Sequence, residues 1–147
     1  MKHVLLLSLS ALLAASPAQA KTASAQLKWM DGPPGLPSGS KFAVVSGDPT
    51  KPGPFTIRAK FPADYAVPPH WHPTNEVVKV LSGKLHYGMS DKLDMAKART
   101  LTAGHTVTMK AKMNHWVHAP AAATIQVSGK GPFKITYVDP KDDPRAK

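Results

Sequence analysis

The sequence predicts an all-β domain, a sandwich or barrel of short strands. Residues 55–61 alternate apolar Phe55, Ile57, Ala59 and Phe61 with polar Thr56, Arg58 and Lys60, the period-two signature of a half-buried strand. Further short β-type runs recur to the end of the chain, and 10 glycines and 15 prolines punctuate them. No segment sustains a 3.6-residue apolar period; residues 91–99 contain Met, Ala and Leu without one and read as a loop or at most one helical turn.

The elements follow in order. Residues 1–20 read as a cleavable export signal, with Lys2 and His3 ahead of an apolar run and Ala18-Gln19-Ala20 as the small-x-small cleavage site. That run is shorter than the ~20 residues a spanning helix needs, and no later stretch could span a bilayer. The expected location is therefore periplasmic or secreted. Residues 21–41 form an arm rich in Gly and Pro, with Trp29 and Leu36 as anchors onto the domain. One domain is expected over residues 42–138, starting with a strand at 42–46 and the strand at 55–61. Residues 77–81 should turn at Ser82-Gly83 and pair with 84–89 as a hairpin, setting Val80 against Leu85, Val78 against Tyr87 and Glu76 against Met89. Strands are then expected at 100–102, 106–110, 115–119, 124–128 and 133–138, with 139–147 a polar tail that frays.

Composition excludes several functions. The chain has no cysteine, so disulfides, thiolate ligands and a cysteine nucleophile are ruled out. Its net charge of +10 is spread along the sequence, with no basic run of the kind that reads phosphates, so nucleic acid is not an expected partner.

The chemistry concentrates between Tyr65 and Gly83. On a strand, His70 and His72 share a face and Trp71 takes the other. Glu76, the only glutamate of the chain, has the same parity. A straight strand would hold it roughly 13 Å from His72, too far to share an ion. Pro73 lies between them and cannot donate to a ladder, so a bend is expected there. Parity separates His115, with Val117, from Trp116 and His118. His86 points outward beside Lys79, and His105 sits at an exposed turn. Inward Val78, Val80, Leu85, Tyr87, Met89 and Val117 would line an apolar pocket, with Tyr87 the one evident proton donor.

These residues resemble the cupin superfamily, in particular small exported single-domain cupins of the quercetin-dioxygenase-like type. His70-x-His72-x3-Glu76-x6-Gly83 matches the core of the first cupin motif, and Gly104-x10-His115 the frame of the second. The resemblance implies a double-stranded β-helix, the cupin jelly-roll barrel. It also implies a metal site made by His70, His72, Glu76 and His115. Three positions depart from the motifs: Asp64 and Lys112 stand where glycine is expected, and Lys110 where proline is. Three imidazoles and a carboxylate suit a divalent iron, manganese, zinc, nickel or copper ion and leave coordination positions open. A chain that has lost its metal and keeps its histidines for packing is the alternative.

Two functional classes follow. One is a mononuclear-metal oxidoreductase of dioxygenase type, or an isomerase or lyase, acting on a small organic molecule. The other is a non-enzymatic module that binds or senses a small molecule or the metal; a homodimer is open in either case. Intact-mass measurement of the exported protein should give a chain beginning at Lys21, and a soluble species retaining residues 1–20 would contradict the processing site.

Overall fold

The computed structural model describes residues 26–146; the expected signal at 1–20 and the beginning of the arm lie outside the described residues. The strands are β1 (Met30–Asp31), β2 (Lys41–Ser46), β3 (Gly53–Phe61), β4 (Tyr65–Trp71), β5 (Glu76–Ser82), β6 (Lys84–Gly88), β7 (Arg99–Thr102), β8 (Thr106–Met109), β9 (His115–Ala119), β10 (Ala123–Gly131) and β11 (Thr136–Tyr137). They form two antiparallel sheets, ordered β1-β2-β3-β10-β5-β8 and β11-β4-β9-β6-β7. The alternation read in the sequence sends Phe55, Ala59, Val78, Val80, Leu85, Tyr87, Val117, Ile125 and Val127 into the space between the sheets. Burying these side chains is the main favourable term for a chain without disulfides.

The expected hairpin across Ser82-Gly83 does not form. β5 pairs with β10 and β8, whereas β6 pairs with β9 and β7 in the opposite sheet. Gly83 is therefore the corner where the chain crosses between sheets. Its φ of 74° is left-handed, and a Cβ there would lie 2.6 Å from the Ala122 carbonyl oxygen. The inward assignment of Val78, Val80, Leu85 and Tyr87 survives, because alternation sends them inside from either sheet. Their cross-strand partners do not: Val78 faces Val107 and Val127, and Tyr87 faces Val117 and Arg99. Lys79 likewise lies opposite Thr106 and Gln126 instead of beside His86.

The arm is docked. Met30 and Asp31 pair with Phe42 and Lys41, Lys60 Nζ stands 4.1 Å above the Trp29 ring, and Leu36 packs on the core. Two buried tyrosines hold it from beneath: Tyr65 Oη donates to the Pro37 carbonyl at 2.7 Å and Tyr137 Oη to that of Gly35 at 2.8 Å. At the other terminus the predicted strand 133–138 shrinks to Thr136–Tyr137, paired with Trp71 and His70. The tail expected to fray forms 3-10 turns at Pro140–Asp142 and Pro144–Ala146, and the Arg145 guanidinium donates to the Ile135 carbonyl at 3.0 Å.

Asp64 (φ 59°) and Lys112 (φ 60°) are the non-glycine residues with left-handed backbone among those described. They are the two positions where glycine was expected. The turns thus keep a glycine conformation without glycine, at a cost of roughly 1–2 kcal/mol each.

Trp116, 1 % exposed, lies over Gly88 and donates from Nε1 to Ser90 Oγ at 3.1 Å. A Cβ on Gly88 would come within 2.5–2.7 Å of three indole atoms. Gly88→Ala should therefore cost about 1–3 kcal/mol and shift the tryptophan emission, as urea unfolding followed by fluorescence will reveal; an unchanged midpoint would refute this packing.

Candidate metal centre

The bend expected at Pro73 is a change of sheet. β4 ends at Trp71 in the five-stranded sheet, residues 72–75 turn, and β5 begins at Glu76 in the six-stranded sheet. His70 and His72 thus approach from one wall and Glu76 from the wall facing it. His115 opens β9 and lies directly opposite His70, beyond a register irregularity that follows the Val67–Val117 pair.

All three histidines are buried, and one ligand nitrogen from each lies within 4.8 Å of the other two. Ring centroids are 4.3 Å apart for His70 and His115, 5.0 Å for His70 and His72, and 5.3 Å for His72 and His115. Glu76 Oε2 stands 3.5 Å from His72 Nε2.

Backbone carbonyls determine what these nitrogens present. His70 Nδ1 lies 2.6 Å from the Pro68 carbonyl oxygen, His72 Nδ1 2.7 Å from that of Lys134, and His115 Nδ1 2.9 Å from that of Met113. A carbonyl only accepts, so each Nδ1 carries the proton and donates. In the neutral rings every Nε2 is then a bare lone pair, the form that ligates metals. His115 Nε2 is buried without a hydrogen-bond partner, and His72 Nε2 faces a carboxylate. Such buried acceptors are costly unless a cation or a proton lies between them. Burial, reinforced by the neighbouring imidazoles, holds the His70 pKa well below its usual value. Burial also lowers that of His115, against the opposing pull of the Met113 carbonyl and Glu76. A second proton is thus disfavoured on both rings. The donor set fits a divalent ion.

The three histidines and Glu76 line a cavity of about 60 Å³, room for an ion and a few waters. Its walls are otherwise apolar: Leu36, Ile57, Ala59, Phe61, Val67, Val78, Met109, Val117, Ile125, Val127 and Phe133. Of the residues expected to line a pocket, Val78 and Val117 border this cavity. Val80, Leu85 and Tyr87 are buried core residues that do not border it, and half-buried Met89 packs against the core. Leu36 and Phe133 border it from segments the sequence offers only as loop and strand end. The Phe133 ring is 5.1 Å from that of His72. Leu36, Ile57, Ala59 and Phe133 also border a larger recess of about 450 Å³ between the arm and β2–β3.

The remaining histidines lie elsewhere. His86 and His118 are opposite one another across β6 and β9, with stacked rings 6.1 Å apart. His105 is exposed at a turn, its Nδ1 3.0 Å from Thr102 Oγ1.

Comparison with solved structures identifies the architecture. A candidate acetylacetone dioxygenase from Methylibium petroleiphilum is 21% identical, with 93% of this chain and 90% of that chain covered at a TM-score of 0.63. The polyketide cyclase RemF from Streptomyces resistomycificus is 14% identical (72% and 75% covered, TM-score 0.59). An RmlC-like cupin from Shewanella frigidimarina is 17% identical (71% and 84% covered, TM-score 0.56). No family model and no curated protein sequence matches. The fold is the cupin double-stranded β-helix, as the motifs implied.

The lowered pKa values set the sign of a pH effect. Below about pH 6.5 the unfolded chain protonates His70 and His115 while the folded metal-free protein resists, so proton uptake favours unfolding. Thermal melts of metal-free protein should show stability falling as pH drops from 7 to 5, and this slope should diminish in the His70→Gln variant. A flat profile would contradict the buried neutral rings.

Proposed function

We propose that His70, His72, Glu76 and His115 hold one divalent first-row transition ion, and that the chain is an exported metal-dependent oxidoreductase of dioxygenase type acting on a small organic molecule. The observation that carries the metal assignment is the set of Nδ1–carbonyl hydrogen bonds, which turn three Nε2 lone pairs towards one point beside a carboxylate.

Four protein ligands leave one or two coordination positions for a small molecule. A bound ion of this kind supplies Lewis acidity or redox chemistry. The chain's own contribution is to position and to exclude. Met109, Val78, Val117, Ile125 and Val127 keep the cavity apolar, so a ligand that enters it exchanges water for hydrocarbon. The hydroxyls of Tyr65 and Tyr137 are committed to arm carbonyls, and Tyr87 does not border the cavity. Among the described residues no acid–base pair therefore stands beside the four proposed ligands. That weakens hydrolytic, isomerase and lyase chemistry, which need one, and favours chemistry in which the protein chiefly orients the substrate. The dioxygenase candidate and the cyclase among the structural neighbours support a small-molecule ligand, but fold alone does not choose between them.

Alanine at His72 or His115 should lower metal content and thermal stability together, by about 2.7 kcal/mol where free metal is 100-fold above Kd, whereas His86→Ala should change neither. Undiminished metal stoichiometry in the His72→Ala/His115→Ala double variant would sink the ligand assignment. Oxygen uptake with flavonols and catechol-like phenols, after loading with iron(II), manganese, nickel, copper or zinc, then tests the chemistry. Consumption lost in His115→Ala supports the oxidoreductase; tight binding without turnover under every metal would assign a binding module instead.

A further inference from the structure

Acidic residues are unevenly distributed along this chain. From residue 95 to residue 138 the sequence contains no Asp or Glu, and from 65 to 90 its only acid is Glu76. Four lysines of the first segment, Lys110, Lys112, Lys130 and Lys134, are exposed and form no ion pair among the described residues. All four belong to loops or strand ends at the metal end of the barrel.

Their backbones are built into the site. The Lys112 amide donates to the His72 carbonyl at 2.8 Å, the Lys134 carbonyl receives His72 Nδ1 at 2.7 Å, and the Lys130 carbonyl receives Thr74 Oγ1 at 3.0 Å. Ala111, between Lys110 and Lys112, donates its amide to Asn75 Oδ1 at 2.9 Å. Lys130 and Lys134 also border a narrow recess whose wall includes His72, Glu76 and Phe133, residues shared with the ligand cavity. Lys112 holds its place in a left-handed conformation that glycine would adopt without strain.

Resting on the metal reading above, we infer that this lysine collar makes the site selective for a small organic anion, such as a carboxylate with an apolar body. One carboxylate ligand leaves a bound divalent ion with a net positive charge. The collar adds charge of the same sign around a low-dielectric cleft, which focuses the field and raises the local concentration of anions. The apolar walls and the recess at Phe133 accommodate the uncharged body of the ligand.

The test uses cobalt(II)-loaded protein with two small probes for an open coordination position, anionic azide and neutral imidazole, titrated by visible absorption. At low ionic strength the Lys130→Glu/Lys134→Glu and Lys110→Glu/Lys112→Glu variants should each bind azide about tenfold more weakly, with imidazole affinity unchanged. Added salt should weaken azide binding to the original protein and narrow the gap. Equal azide affinity in all three proteins, an equal loss for azide and imidazole, or a spectrum that answers neither probe would overturn the collar while leaving the metal site standing. Failure of the original protein to retain cobalt would instead overturn the reading on which the collar rests, and metal analysis separates the two.

Discussion

Three hydrogen bonds from imidazole Nδ1 to backbone carbonyls govern the arrangement of this protein's interior. They fix the tautomer and rotation of His70, His72 and His115, and the carbonyls they use come from three different segments, at Pro68, Met113 and Lys134. The 131–135 connection is therefore not free to drift: its Lys134 carbonyl holds His72, while Phe133 closes over the same ring. Imidazole geometry and loop geometry are one problem in this end of the barrel. Three buried imidazoles facing one another would be an unfavourable core on their own, and the rest of the fold has to supply the stability that keeps them there.

That stability comes from two sheets whose strands carry alternating patterns, and alternation explains both what the sequence discloses and what it conceals. Period two identifies β3, β5 and β10 and says which side chains go inside. It is silent on the choice of partner, because Val80 and Leu85 point inward whether the chain doubles back at Gly83 or crosses to the facing sheet. Depth along the barrel is equally hidden. Each further pair of residues moves an inward side chain ~6.6 Å from the histidine cluster, so Val78 borders the cavity whereas Val80 belongs to the core beyond it.

The four candidate ligands come from the match to the two cupin motifs, and the residue-level signals beneath it are the shared face of His70 and His72 and the single glutamate, Glu76. Leu36 and Phe133 were not legible, since each comes from a segment whose position depends on distant contacts: the tyrosine hydroxyls beneath the arm, and the carbonyl given to His72. The departures at Asp64 and Lys112 carry a different lesson. A turn can retain the backbone shape associated with glycine while another residue occupies it, so a motif mismatch there changes local strain and surface charge more than ligand placement.

The change of sheet at residues 72–75 also bears on how the molecule comes apart. An ion shared by His70, His72 and His115 on one wall and Glu76 on the other would be a cross-link between two layers that are otherwise joined by packing and a few connecting turns. In a chain without cysteine it would take the place of a disulfide, closing the segment between Glu76 and His115 and restricting the denatured ensemble for as long as the ion stays bound. The lifetime of the folded state would then be set by how quickly the ion escapes, which makes chelation, more than heat, the natural route to unfolding.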